Sequence, residues 1–322
     1  MQAFVISSHG SSSNLKLKNI DDPKPKKNEV IIKHSAIGIN FFDILFRKGQ
    51  YKILDFPAVL GLEACGIITE IGEGVVDFKV GDRVAYATGG FGAYAEKRAI
   101  RQNHLIICPP DLSDDQIVAT LFKGLTAHSL LHRVCIATRT KRILIHSVAG
   151  GVGHILCQWA KYLGIEIIGT VGSEEKIPDA TNFGCNHVIN YRNKNFVDEV
   201  AKITNNQGVG LVYDSVGKDT LNKSIDCLWP MGMCINYGDS SGFVENFDVN
   251  KLFSNSLYLT RPSMILYKSI RAELSMSASE VFAAVRKGII KPKINTYSFN
   301  DLHKAHDDLE SRKTTGSLIL KF

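Results

Sequence analysis

Three glycines in four residues, Gly150-Gly151-Val152-Gly153, stand between a short apolar run, Ile143 to Ile145, and a stretch where Leu156, Trp159, Ala160 and Leu163 recur at helical spacing up to Gly164. Strand, glycine turn and helix together can hold an anion. The first N–H groups of a helix have no acceptor within it, and its dipole favours negative charge there. Gly150 allows a tight turn, Gly151 a close backbone approach to a phosphate, and Gly153 close packing of helix on strand. The full dinucleotide fingerprint has a further glycine where this chain has Val148. A glycine turn can also be a mere connection. The second apolar run, Ile165 to Val171, starts directly after the helix, as a βαβ unit requires, and raises the turn to a candidate dinucleotide site.

The end of that second run speaks to the cofactor. NAD enzymes usually place Asp or Glu there, on the ribose 2′-hydroxyl. Here Val171 is followed by Gly172, Ser173 and Lys176, a hydroxyl and an ammonium that suit a 2′-phosphate, so the expected cofactor is NADP(H). Glu174 and Glu175 count against this unless they face solvent, and Pro178 leaves the start of the next helix open.

A second candidate is Asn40-Phe41-Phe42-Asp43. Asn40 reads as the N-cap of a helix over Phe41–Arg47, with Asp43 in its first turn near the positive end. That role accounts for both residues without chemistry. A place beside the reacting ring is the other reading, and the two are compatible.

Composition narrows the class. With 322 residues, 44% apolar and 22% charged, the chain reads as a soluble protein of two domains. No apolar run approaches the roughly 20 residues that span a bilayer, and Met1–Ile6 reads as a first strand rather than a signal peptide. The seven cysteines are scattered, with no C-x-x-C, which points to a reducing, cytoplasmic setting and no zinc knuckle. The net charge of +6 is dispersed; it suits an anionic cofactor and gives little support to nucleic acid as a partner.

Around the candidates, residues 1–121 read as β-rich, with strands predicted at Ala3–Ile6, Leu15–Asn19, Glu29–Ile37, Gly66–Ile71, Arg83–Tyr86 and Tyr94–Ile100, a partly closed barrel. Residues 122–261 alternate strand and helix: after the first βαβ come His187–Asn190, a helix near Phe196–Thr204, Gly210–Asp214, a helix near Thr220–Leu228, then Met231–Tyr237. That is the rhythm of a doubly wound parallel sheet, whose ligands bind beyond the strand C-termini. The loops at Tyr191, Ser215 and Gly238–Gly242 fall there, and Tyr191 is either an adenine platform or a half-buried strand-end aromatic. Residues 262–322 leave the sheet, with a helix near Ser277–Lys287, a strand at Lys293–Tyr297, a helix near Leu302–Ser311 and a last strand, Leu318–Phe322, that returns to the N-terminal domain.

The chain resembles the quinone oxidoreductase (zeta-crystallin) branch of the zinc-free medium-chain dehydrogenase/reductases. The resemblance rests on ordered blocks along its whole length: Ala36–Asp43, Leu60–Gly66, Gly81–Val84, Gly92–Ala95, Lys123–Ala127, Gly150–Gly153 with Gln158 and Lys161, Gly169–Gly172, Asn190–Arg192, Asp214–Gly217 and Thr260–Pro262. It implies an α/β protein in which a GroES-like β-rich catalytic domain, built from both chain ends, surrounds a Rossmann domain, with NADPH in the cleft between them and a homodimer or tetramer as the assembly. By position, the implied cofactor contacts are Asn40, Thr126, Gly150, Gly151, Val152, Gly172, Ser173, Lys176, Tyr191, Ser215, Tyr237, Gly238, Asp239, Ser240, Thr260, Arg261, Pro262 and Arg312. Zinc-dependent relatives have cysteine where this chain has Asn40 and histidine where it has Leu62, so no metal is expected. Ser147 and Val148 replace small alanines, and His154 an apolar residue.

Without a Lewis acid, alcohol oxidation is disfavoured, whereas a quinone is already electrophilic and needs little beyond being held against the nicotinamide. The expected reaction is hydride transfer to a quinone, with Asn40, Asp43 and Tyr51 lining the pocket and Lys123 near the nicotinamide. Tyr51 or solvent is the expected proton source. The alternatives are reduction of the C=C bond of an alkenal or enone and, in another class, an NADPH-regulated RNA-binding or structural protein.

Overall fold

A computed structural model describes residues 1–53 and 55–322. The chain divides into two compact units, one of residues 1–125, 268–286 and 292–322, the other of residues 126–267 and 287–291.

The first unit is β-rich. It begins with β1 (Gln2–Ile6), β2 (Lys16–Asn19), β3 (Glu29–Ile39), α1 (Phe41–Arg47), β4 (Ala58–Val59), β5 (Glu63–Ile71), β6 (Arg83–Tyr86), β7 (Lys97–Arg101), β8 (Ile106–Ile107) and α2 (Asp114–Ser129). The long strand β3 is the axis of its larger sheet, paired with β5 on one side, and β7 also joins it. Ile32, Ile37 and Ile39 on β3 pack with Phe4, Leu60, Tyr86, Tyr94 and Leu318 in one buried cluster; each such side chain taken from water contributes about 1.5–3 kcal/mol. Gly38 sits opposite Glu63 in the β3–β5 register. A Cβ at Gly38 would run into the Glu63 carboxylate, so the missing side chain makes room for a buried acid.

The second unit holds β9 (Arg142–Ile145), α3 (Gly151–Tyr162), β10 (Glu166–Val171), α4 (Ile177–Phe183), β11 (His187–Asn190), α5 (Phe196–Ile203), β12 (Val209–Asp214), α6 (Leu221–Ser224), β13 (Leu228–Asn236), β14 (Tyr258–Thr260) and α7 (Met264–Tyr267). Its six strands are parallel, in the order β11-β10-β9-β12-β13-β14. This is the doubly wound order whose switch point lies between the first and fourth strands. Gly164, with φ +77°, ends the α3 turn as its position predicts.

The chain then returns to the first unit with α8 (Arg271–Arg286), β15 (Ile294–Ser298), α9 (Leu302–Glu310) and β16 (Ser317–Lys321). β16 lies between β15 and β3, pairing antiparallel with β3. The predicted return of the last strand is observed.

Three sequence expectations need correction. The helix predicted near Thr220–Leu228 is one turn of α-helix followed by a 3-10 turn at Ile225–Cys227, and Leu228 already belongs to β13. Asp214 holds the hydroxyls of Thr220 and Ser224, each at 2.8 Å, which ties this segment to the end of β12. The strand predicted at Tyr94–Ile100 starts at Lys97, because Tyr94 and Ala95 turn toward β1. Helix α2 and strand β14 were not anticipated, and α2 runs through the expected boundary between residues 121 and 122.

Candidate active site

In the second unit, α3 opens at the glycine turn. Gly150 is its N-cap, and Ser147 precedes it with φ +53°. A left-handed serine costs roughly 1–2 kcal/mol and is held by the Gly150 N–H donating to its carbonyl at 2.9 Å. A Cβ on Gly153 would meet backbone atoms of Ser147 and Val148, which brings α3 down onto its strand as expected. The first N–H groups of α3 thus lie beside a backbone left bare at Gly150 and Gly151, an arrangement that fits a diphosphate.

At the end of β10, Gly172 lies beside Tyr191: a Cβ there would stand 3.6 Å from the Tyr191 hydroxyl and 3.8 Å from Arg192 Nε. Lys176 is half-buried in the turn between β10 and α4, and Arg192 is exposed. Glu174 is exposed and accepts from Asn190 at 2.7 Å and Asn193 at 3.3 Å. Glu175 is held below the ordinary carboxylate range, first by a hydrogen bond from Ser173. Both acids are exposed to solvent, the condition under which they do not count against NADP(H). Arg192 is the cation that motif reasoning passed over, although it follows Tyr191 directly.

Farther along the sheet, Asp214 is fully buried and accepts from the N–H groups of Val216 and Gly217 at 2.9 and 3.0 Å, which fixes the loop carrying Ser215. Ser215 Oγ donates to the His146 carbonyl. Arg261 and Asp239 bind each other: Arg261 forms an ion pair with Asp239 at 2.5 Å and donates to Asn236 at 2.6 Å, joining the end of β13 to β14. Burial pushes the Tyr237 hydroxyl above its ordinary range, and a contact with Ser215 acts against that. Thr126, Thr260, Pro262 and Arg312 complete the positions taken from the resemblance: Thr126 is buried in α2, Thr260 ends β14, Pro262 follows it, and Arg312 is a left-handed residue after α9.

The first unit gathers the other candidates. Asn40 is the N-cap of α1, and its N–H donates to Asp43 Oδ2 at 2.9 Å, as the predicted helix start requires. Its side-chain amide is engaged elsewhere, donating to Glu63 at 3.2 Å. Glu63 also accepts from the Phe122 N–H at 2.6 Å and pairs with the Lys123 ammonium at 3.4 Å. Asn40, Glu63 and Lys123 are all buried. Burial raises the Glu63 carboxyl above its ordinary range, and Lys123 acts against it. Breaking such a buried pair typically costs about 3–5 kcal/mol, so Glu63 fixes two predicted site residues at once. Sequence reasoning missed that role; its signal is a charged residue opening an otherwise apolar strand, opposite a glycine.

Asp43 is fully buried as well, and burial pushes its carboxyl up to about 7 against hydrogen bonds from Asn40 and Tyr94. Tyr94 donates to Asp43 Oδ2 at 2.9 Å, and His306 Nε2 meets the Tyr94 hydroxyl at 3.0 Å. Arg47 Nη1 meets His306 Nδ1 at 3.4 Å, and the buried Arg47 also pairs with Glu310. Neither Tyr94 nor His306 was singled out from the sequence, although His306 lies on the apolar stripe of α9 with Leu302, Ala305 and Leu309. Tyr51 lies in an aromatic group with Phe42 and Phe46 at centroid distances of 5.2 and 5.3 Å. Among the described residues, no group of three or more His, Cys, Asp or Glu is placed to hold a metal ion.

Residues 26–110 match the family described as alcohol dehydrogenase GroES-like domain, and residues 151–279 match that described as zinc-binding dehydrogenase. The chain is 40% identical over 316 residues to quinone oxidoreductase 1 of Escherichia coli, covering 97% of each. It is 38% identical over 328 residues to a 2-haloacrylate reductase of a Burkholderia species, covering 99% of this chain and 98% of that one. Its structure matches that of E. coli quinone oxidoreductase complexed with NADPH with a TM-score of 0.96, at 39% identity over 100% of both chains. Likeness of this degree along the whole length, on a two-unit frame with a glycine-turn sheet, places the chain in the quinone oxidoreductase family of the medium-chain dehydrogenase/reductase superfamily.

Proposed function

We propose that this chain is an oxidoreductase that reduces quinones with NADPH and without a metal ion. The reading is carried by its full-length likeness to quinone oxidoreductases, one of them solved with NADPH. Bound NADPH supplies a hydride from its nicotinamide. The residues that hold the cofactor are the N–H groups of Gly150, Gly151 and Val152 for the diphosphate. Gly172, Ser173, Lys176, Tyr191 and Arg192 serve the adenosine end with its 2′-phosphate. Thr126, Ser215, Tyr237, Gly238, Asp239, Ser240, Thr260, Arg261, Pro262, Asn40 and Arg312 line the remainder. Asn40, Asp43, Tyr51 and Lys123 form the acceptor side, where orientation and exclusion of water lower the barrier.

A second acceptor class is supported by the 2-haloacrylate reductase relative, which suggests an activated C=C bond. Oxidation of NADPH and of NADH is followed at the reduced-nicotinamide absorbance band, with a naphthoquinone and then with an alkenal. Fast turnover with the quinone and a strong preference for NADPH is the expected result. Turnover with the alkenal alone transfers the chain to the double-bond reductases, and tight NADPH binding with neither acceptor reduced overturns the enzyme reading in favour of a binding protein.

A homodimer is part of the same proposal. It is supported by β14, which forms an outer edge of the six-stranded sheet, and by exposed apolar side chains on the segments around it, Met231, Val249, Phe253 and Tyr258. Among the described residues no helix is long and apolar enough to cross a membrane. A cytoplasmic location is supported by the seven free thiols.

A further inference from the structure

Reduction of a quinone consumes a proton as well as a hydride, and the buried chain of the first unit leads to one atom able to give it. Two donors converge on Asp43 Oδ2, the Asn40 N–H and the Tyr94 hydroxyl, both at 2.9 Å. The other carboxyl oxygen, Oδ1, is buried without a hydrogen-bond partner. With Oδ2 occupied by two donors, a proton on this carboxyl resides on Oδ1. Directions along the chain agree. Because Tyr94 donates to Asp43, His306 must donate to Tyr94 through Nε2, which leaves Nδ1 to accept from Arg47. That is the neutral tautomer, and burial together with the Arg47 charge holds His306 down at about 3, consistent with it.

We propose that Asp43 is the proton donor to the reduced acceptor, with Tyr94 and His306 as positioning residues that occupy its Oδ2 and so leave the proton on Oδ1. The proposal rests on the quinone-reductase reading above. Once the hydride has arrived, the acceptor carries one negative charge on oxygen. The Oδ1–H bond breaks, an O–H bond forms on that oxygen across at most one water, and the electron pair stays on Asp43 as a carboxylate. A solvent proton restores the acid before the next turnover.

The charged and titratable groups facing Asp43 come from every element around it: Arg47 on α1, Glu63 on β5, Tyr94 after β6, Lys123 on α2 and His306 on α9. Glu63 and Lys123 pair with each other, and burial carries the Asp43 carboxyl up to about 7.

The test is the pH profile of kcat for naphthoquinone reduction at saturating NADPH. Wild type is expected to lose activity tenfold per pH unit above about 7. Asp43→Asn lowers kcat at least tenfold and abolishes that limb. Tyr94→Phe removes a hydrogen bond that favours the carboxylate and moves the limb to higher pH, a shift that a purely structural role for Tyr94 does not produce. Infrared difference spectra of the NADPH-bound protein read the same group independently of turnover: a protonated-carboxyl band that titrates near neutrality is expected, absent in Asp43→Asn. An unchanged limb in Asp43→Asn, an unshifted limb in Tyr94→Phe, or absence of that band each overturns the assignment. A wild type that reduces no quinone at any pH but shows the band strikes instead at the functional reading.

Discussion

Single side chains set the electrostatics of the first unit, and buried histidines and carboxyls oppose each other with pH. His306 and His34 are held down at about 3 and about 4 by burial, from an ordinary value of 6.5. The unfolded chain protonates both where the folded one does not, so stability falls as pH drops from about 6.5 toward 4, by about 1.4 kcal/mol per group per pH unit. Asp43 has the opposite sign. Its folded carboxyl keeps its proton up to about 7, against 3.8 ordinarily, so its contribution is present at low pH and is lost as pH rises across that window. Burial raises Glu63 with the same sign as Asp43, so the histidine contribution is read from His306→Gln, whose Tm should fall less than that of wild type on acidification below about pH 6, by calorimetry across pH. With Asp43 as the proton donor, Tyr51 is expected to be dispensable for proton transfer. Tyr51→Phe should keep kcat within about twofold and leave the pH profile in place; a lost or shifted limb would return the donor role to Tyr51.

At the scale of elements, the proposed function assigns the choice between NADPH and NADH to the turn after β10. Arg192 lies near Gly172 and Lys176 is in the turn that follows it, and a charge-assisted contact to a 2′-phosphate is worth about 1.5–3 kcal/mol. Lys176→Ala should therefore raise KM for NADPH about 10- to 100-fold while leaving NADH within about twofold, read from initial rates with each nucleotide. Elements with a clear period were legible: α1, β6 and β11 fall on their predicted spans, since apolar run or N-cap and helical stripe leave one solution. Helix α2 was not legible because it is buried nearly all round and so has little polar face to show a 3.6 period. It also carries Gly124, which reads as a breaker. Packing explains that glycine: a Cβ would stand 2.6 Å from Val281. In the candidate site, Asn40, Asp43 and the glycine turn were legible from local spacing. Glu63, Tyr94 and His306 were not, because what joins them is a network between residues distant in sequence.

For the molecule as a whole, the open edge at β14 makes assembly a matter of surface chemistry. Phe253 is 88% exposed and Tyr258 57%. A second copy pairing along this edge would cover them, so Phe253→Asp is expected to turn a dimer into a monomer by sedimentation, with secondary structure intact by circular dichroism. A wild type that sediments as a monomer at all concentrations removes the dimer from the proposal.

The position of β16 has a further consequence, for synthesis on the ribosome. Residues 126–267 form nearly all of the Rossmann unit as one uninterrupted stretch, so a nascent chain can bury that core as soon as they have emerged. β3 emerges earlier yet must wait for β16, and Arg47 must wait for His306 and Glu310 on α9. A growing chain thus passes through an interval with its Rossmann unit assembled and its β-rich unit unfinished. During that interval β3 has an uncovered edge and Arg47 an unanswered charge, the features that chaperones bind and proteases cut.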